Sequence, residues 1–249
     1  NQNRVAQTGH QVPRPRPGQP SIAITEHDGT LLMNKNVSAK HLQHGKTEGP
    51  VLQANSVEKD RASSGRWAIR SATRDGHDRL ESLFDTLDFE HLQHRLQFML
   101  AHALAYHSVE VSLPSGSSIQ QAVRQNAALL FDYLDSHGCS ATNSNAIGAP
   151  RDLGLGAAYV LAGSSMGKRV LAVRWHEKPG EEAPAFFHEK SLPSAWREVM
   201  AEMNDMSESD IRLRHVIADA MATFEVFEHG FAMAQEMISA ANPVCLESV

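Results

Sequence analysis

Residues 67–87, WAIRSATRDGHDRLESLFDTL, and residues 89–113, FEHLQHRLQFMLAHALAYHSVEVSL, carry their apolar side chains at helical spacing. In the first stretch Ala72, Leu80, Leu83, Phe84 and Leu87 fall close to the i, i+3, i+4, i+7 pattern of one helix face. In the second, Leu92, Leu96, Met99, Leu100, Ala103 and Leu104 repeat it. Pro114-Ser-Gly-Ser-Ser breaks the pattern, and Ser118 is placed to cap a third helix. That helix runs through Val123, Ala127, Leu130, Phe131 and Leu134 and stops at His137-Gly138. A Ser/Asn/Ala/Gly loop over 139–150 follows, then a fourth helix over about 152–175, of which only 170–175 has β character. After a loop at 179–184, a short helix opens at Pro193 or Ser194 and reaches about Met203. Ser207, with Asp210 three residues on, resembles a capping box for a long last helix to about Ala241. With no hairpin signal, no internal repeat and no sustained heptad, the expectation is an all-α domain.

The composition changes near residue 65. Residues 1–65 contain no Phe, Trp or Tyr, hold five of the 11 prolines and carry a net charge of +3, which leaves −9 for the rest of a chain whose total is −6. A segment without aromatics buries little apolar area, so it does not offset the entropy of ordering its backbone. Residues 1–65 are therefore expected to be a disordered or loosely attached arm, with 21–25 as an isolated strand at most, and 66–245 to be the folded domain. The net negative charge argues against a nucleic-acid binder, and no apolar run approaches the length of a membrane span. Cys139 and Cys245 are too few for a disulfide framework, which fits a reducing, cytoplasmic setting. Asn1 in place of Met points to a processed form or a fragment, and no secretory leader is evident.

Fourteen histidines are present. His91, His94, His102 and His107 share a helix but lack an HExxH frame, so a multi-histidine metal site is not expected there. His77 differs, because it shares the apolar face of the first helix with Leu80 and Phe84 and has Glu81 one turn on. Such a pair is either a core-edge histidine bonded to a carboxylate or a metal-ligating imidazole whose second nitrogen the carboxylate holds. In the fourth helix Gly163 and Gly167 lie on one face, each costing about 1 kcal/mol relative to alanine. A bend beside Ser164 and Ser165, close approach of a flat ligand, or tight packing on a neighbouring helix would each account for them.

The segments 69–84, IRSATRDGHDRLESLF, and 153–168, LGLGAAYVLAGSSMGK, resemble the proximal and distal helices of the haem oxygenase family in its bacterial branch. The stretches from Arg124 and from Ala222 fit more weakly, so the resemblance covers about 67–240 and omits 1–65. It implies an all-α fold with haem held between a proximal first helix and a kinked distal helix. It places His77 as the iron ligand, Glu81 as the group that orients it, and Arg70 as a propionate partner. Tyr159 falls near the haem edge. Gly163, Ser164 and Gly167 fall on the distal face over the reacting edge. The chain departs from the family pattern in having Ala162 for an acidic residue, Lys168 for a second glycine, and Ser164 where animal members have aspartate. Lys168 is expected to reach a propionate or, preferably, to stand in solvent.

The activity implied is oxidative cleavage of haem b, at once cofactor and substrate, to biliverdin, CO and ferrous iron with O₂. No GxGxxG follows a strand, so the electrons are expected from an external reductase or ferredoxin. A bilin photoreceptor is one candidate acceptor of the product. The rivals are a haem sensor or carrier on the same fold without turnover, and a helical interaction protein that binds no haem.

Overall fold

The computed structural model describes residues 23–27, 30–34, 65–139, 147–148, 152–175 and 182–240. The chain divides into two units, 1–47 and 48–249. In the first, β1 (Ala23–His27) pairs antiparallel with β2 (Thr30–Asn34), Ala23 opposite Asn34 and His27 opposite Thr30. The strand expected at 21–25 thus sits at 23–27 and has a partner, a hairpin that the sequence reading did not anticipate. Its signal was the Asp28-Gly29 pair between two apolar runs. Residues 1–22 and 35–64 of the expected arm lie outside the described residues.

The second unit is helical, as its periodicity predicts. Its helices are α1 (Gly65–Phe84), α2 (Leu92–Glu110), α3 (Ser118–Ser136), α4 (Leu155–Trp175), α5 (Ser191–Asn204) and α6 (Ile211–Ala240). A 3-10 turn, Ala185–His188, precedes α5 and was not foreseen. Helix α6 is the spine, with α1, α2 and α4 packed along it. Helix α2 is buried nearly all round, so apolar residues occupy every face of it rather than one stripe. Phe98, Met99, Leu104 and Tyr106 of α2 form the main core with Leu130, Trp175, Phe186 and Phe227. A second cluster joins Ile69 of α1, Ala158 and Val160 of α4, Met203 of α5, and Ala220 and Phe224 of α6. Helices α1 and α4 both pack on α5 and α6 yet make almost no backbone contact with each other.

Two glycines let helices meet closely. A Cβ on Gly230 would stand 2.7 Å from the Ala101 carbonyl oxygen, and one on Gly156 2.0 Å from that of Val216. Both distances are far inside van der Waals contact, so glycine there is a packing requirement.

Several boundaries differ from expectation. The cap of α3 is Ser117, whose Oγ accepts from the Gln120 N–H at 3.2 Å, so Ser118 is the first helical residue instead. At α6 the expected Ser207/Asp210 box is not formed. The helix starts at Ile211, and the Asp210 carboxylate accepts from the Arg212 backbone N–H at 2.9 Å. Residues 170–175, read as β-like, complete α4, where Ala172 and Trp175 are buried in the helical core. Helix α5 opens at Ser191, because Glu189 accepts from both the Ser191 N–H and its hydroxyl, each at 2.7 Å. Gly138 ends α3 at φ +71°, in the left-handed region that favours glycine. Of the loop expected over 139–150, residues 140–146 and 149–150 lie outside the described residues, as do 179–181 of the loop at 179–184 and Cys245. Among the described residues no helix is long and apolar enough to cross a membrane.

Candidate functional site

Helix α1 buries Ile69 and Thr73 and brings His77 to the edge of the core, 41% exposed. The Nδ1 atom of His77 is 3.7 Å from Glu81 Oε2 and 3.7 Å from Asp78 Oδ1. These distances exceed a hydrogen bond but lie within the reach of a side-chain adjustment. Among the described residues, His77, Asp78 and Glu81 bring three potential ligand atoms within 4.8 Å of one another. The Phe224 ring of α6 meets the imidazole edge-on, with centroids 6.2 Å apart. Burial holds the imidazole below its ordinary pKa; Asp78 opposes this and the positive charge of Arg70 adds to it. His77 is therefore neutral at pH 7, with a lone pair free for a Lewis acid. Burial, reinforced by Asp85 and Asp78, pushes the Glu81 carboxyl up to about 7, and its Oε1 is buried without a hydrogen-bond partner. Nδ1 is the ring nitrogen that faces the carboxylates.

Arg70 lies two turns before His77, half-buried, with its guanidinium over the Trp67 ring at 5.3 Å. The structure thus brings Arg70, His77 and Glu81 together on α1. Tyr159, Gly163, Ser164 and Gly167 form a separate group on α4, and the two groups share the second apolar cluster through Ile69, Ala158 and Phe224, with Tyr159 at its margin.

Helix α4 runs without interruption through both glycines. Ser164 and Ser165 each donate back to a carbonyl three residues earlier, Leu161 at 2.8 Å and Ala162 at 2.5 Å. Back-bonds of this kind favour a bend. Gly163 is not a backbone-packing glycine: a Cβ there would meet only the Trp196 ring, at 3.4 Å, which is ordinary contact. Of the three accounts of that glycine, packing on a neighbouring helix is the one with a contact in the structure, made by the Trp196 side chain of α5 rather than by backbone. Ala162 is fully buried, where a carboxylate would need a partner.

Lys168 is a correction. It is only 4% exposed rather than solvated. Its Nζ donates to Asn126 Oδ1 at 2.5 Å and to the Phe186 carbonyl at 3.4 Å, and stands 3.7 Å from the centre of the Phe186 ring. Burial pulls its pKa down to about 7 against the opposing charge of Glu189. Glu189 in turn accepts from Asn126 Nδ2 at 2.8 Å. The amine is committed to α3 and the 185–191 segment.

Sequence reasoning also missed His102, Tyr106 and Trp196. His102 is partly buried, donates Nδ1–H to the Phe98 carbonyl at 2.9 Å, and is driven by burial down to about 4. Tyr106, fully buried, turns its hydroxyl toward Ser164, and burial raises its pKa. Trp196 of α5 lies tilted against Tyr159, with centroids 5.7 Å apart. Only an aromatic or polar residue on an otherwise apolar face could have signalled these, and the Tyr106–Ser164 and Tyr159–Trp196 contacts join residues more than thirty positions apart.

No family model, curated protein or solved structure matches the chain.

Proposed function

We propose that this protein is a haem oxygenase, and the observation that carries the reading is the state of His77. The imidazole is half-buried, is held by burial below its ordinary pKa and directs Nδ1 at two carboxylates, which would leave Nε2 to bind iron. Three further features fit a haem. Helices α1 and α4 stand on common supports with almost no close backbone approach between them, and Ile69 and Ala158 share an apolar cluster there that a flat ligand would contact. Gly163 has no side chain on the face of α4 that meets the Trp196 ring, so a flat group could approach the backbone there. Arg70 supplies a bidentate cation near His77 for a propionate. The resemblance of 69–84 and 153–168 to the family's two haem-contacting helices supports the same reading.

When bound, haem supplies O₂ activation at its iron and a porphyrin edge that is itself oxidised, with biliverdin, CO and ferrous iron as products. In this reading His77 binds through Nε2, and Glu81 fixes the tautomer by accepting from Nδ1–H. Gly163 and Gly167 let α4 lie close over the porphyrin, and Ser164 supplies a hydroxyl on the distal side. Tyr159 borders the edge of the ligand, and Arg70 sets its in-plane rotation. Electrons arrive from an external reductase or ferredoxin. A cytoplasmic setting and delivery of the product to a bilin photoreceptor belong to the same proposal.

Titration of the purified chain with hemin tests it. Saturation at one equivalent with the Soret band of an imidazole-ligated haem is expected. Absence of saturable binding would overturn the reading.

A further inference from the structure

We infer that Trp196 is a gate over the distal helix, an inference that rests on the proposed haem site. The indole of this α5 residue stands against the face of α4 where Gly163 has no side chain. Its Cζ3 and Cη2 atoms lie 3.4 and 3.7 Å from where a Cβ of Gly163 would be. The same ring lies against Tyr159 at a tilt of 37°. A glycine in the middle of a helix presents bare backbone, and here that backbone is covered by a flat aromatic plane. A porphyrin reaching Gly163 needs the same plane of space, so the two compete for it.

The placement of Trp196 suits a movable cover rather than a fixed wall. Trp175 is fully buried in the main core, whereas Trp196 is half-buried. Helix α5 packs on both α1 and α4, the two walls of the proposed site. A rotation about two side-chain torsions therefore uncovers Gly163 without moving a helix. The expected cost of opening is the loss of the Tyr159 contact, which slows entry of the ligand by roughly three- to tenfold.

Gallium protoporphyrin IX, which does not turn over, is the probe. The full chain is labelled with 5-fluorotryptophan, and the Trp196 resonance is assigned by its absence from the spectrum of Trp196→Phe. Porphyrin binding is followed by absorbance in stopped flow. Binding is expected to displace the Trp196 resonance far more than those of Trp67 and Trp175. Association is expected to be roughly three- to tenfold faster in Trp196→Ala, with Trp196→Phe between it and the parent. Trp196→Phe keeps an aromatic ring at the site and serves as the measure if the alanine variant is unstable. Porphyrin bound at parental or slower rates in both variants would overturn the gate while leaving the haem site intact. No porphyrin bound by the parent would overturn the haem site and the gate with it.

Discussion

Gly156→Ala is expected to destabilise the helical unit by about 3 kcal/mol, a fall in melting temperature of about 10 °C. The added Cβ would lie 2.0 Å from the Val216 carbonyl oxygen, 2.7 Å from the Ala220 nitrogen and 2.7 Å from Asp219 Cβ. Two of these are backbone atoms of α6, which no rotamer change can move aside. The helices must separate, and the second apolar cluster, which includes Ala158 and Val160 of α4 and Val216 and Ala220 of α6, opens with them. Gly163→Ala is the contrasting variant. Its Cβ meets one flexible indole at contact distance, and alanine is the better helix former. Its stability is expected to be unchanged or raised by up to about 1 kcal/mol, while hemin affinity falls, because the methyl group projects where the porphyrin face would lie. Thermal melts of both variants beside hemin titrations distinguish a glycine required by backbone packing from one that a ligand would need. Equal destabilisation by the two would place Gly163 in the packing class and remove one support of the site.

His77→Ala is expected to abolish imidazole ligation and to lower haem turnover by at least about a hundredfold, with the fold intact. The ring is 41% exposed, so its removal should change stability within about 0.5 kcal/mol. It also removes a half-buried imidazole near the charge of Arg70. Added imidazole should occupy the space left by the side chain and restore the Soret band and part of the turnover. Glu81→Gln should retain ligation but weaken it about tenfold, since the amide still accepts from Nδ1–H without the charge that strengthens the donor. Electronic spectra and single-turnover rates of the three proteins test this. An unchanged spectrum in His77→Ala would assign the haem to another ligand.

The helices were legible from the spacing of apolar residues because each buries a defined face. Helix α2 was read from the spacing of Leu92, Leu96, Met99, Leu100, Ala103 and Leu104, although its burial on nearly every side places apolar residues on its other faces as well. Helix ends were less so, because one serine or aspartate caps as well as its neighbour. Ser117 against Ser118 and Asp210 against Ser207 were decided by which oxygen reaches the second or third N–H. The His77–Glu81 pair was legible because a helix turn brings them together. The state of Lys168 was not. A lysine is ordinarily solvated, and the groups that hold this one, Asn126, Phe186 and Glu189, come from other segments of the chain. Gly156 and Gly163 read alike in sequence, seven residues apart on one helix. Only the backbone of α6 beside the first and the indole of Trp196 beside the second tell them apart.

The central claim is that the chain oxidises a haem held by His77. The most direct test mixes the full chain with one equivalent of hemin, adds ascorbate or a ferredoxin reducing system in air, and follows the spectrum. Decay of the Soret band into biliverdin absorption, with CO and ferrous iron released, is the predicted result. A Soret band that persists under reductant and oxygen would contradict the enzymatic claim and leave a haem-binding protein without turnover.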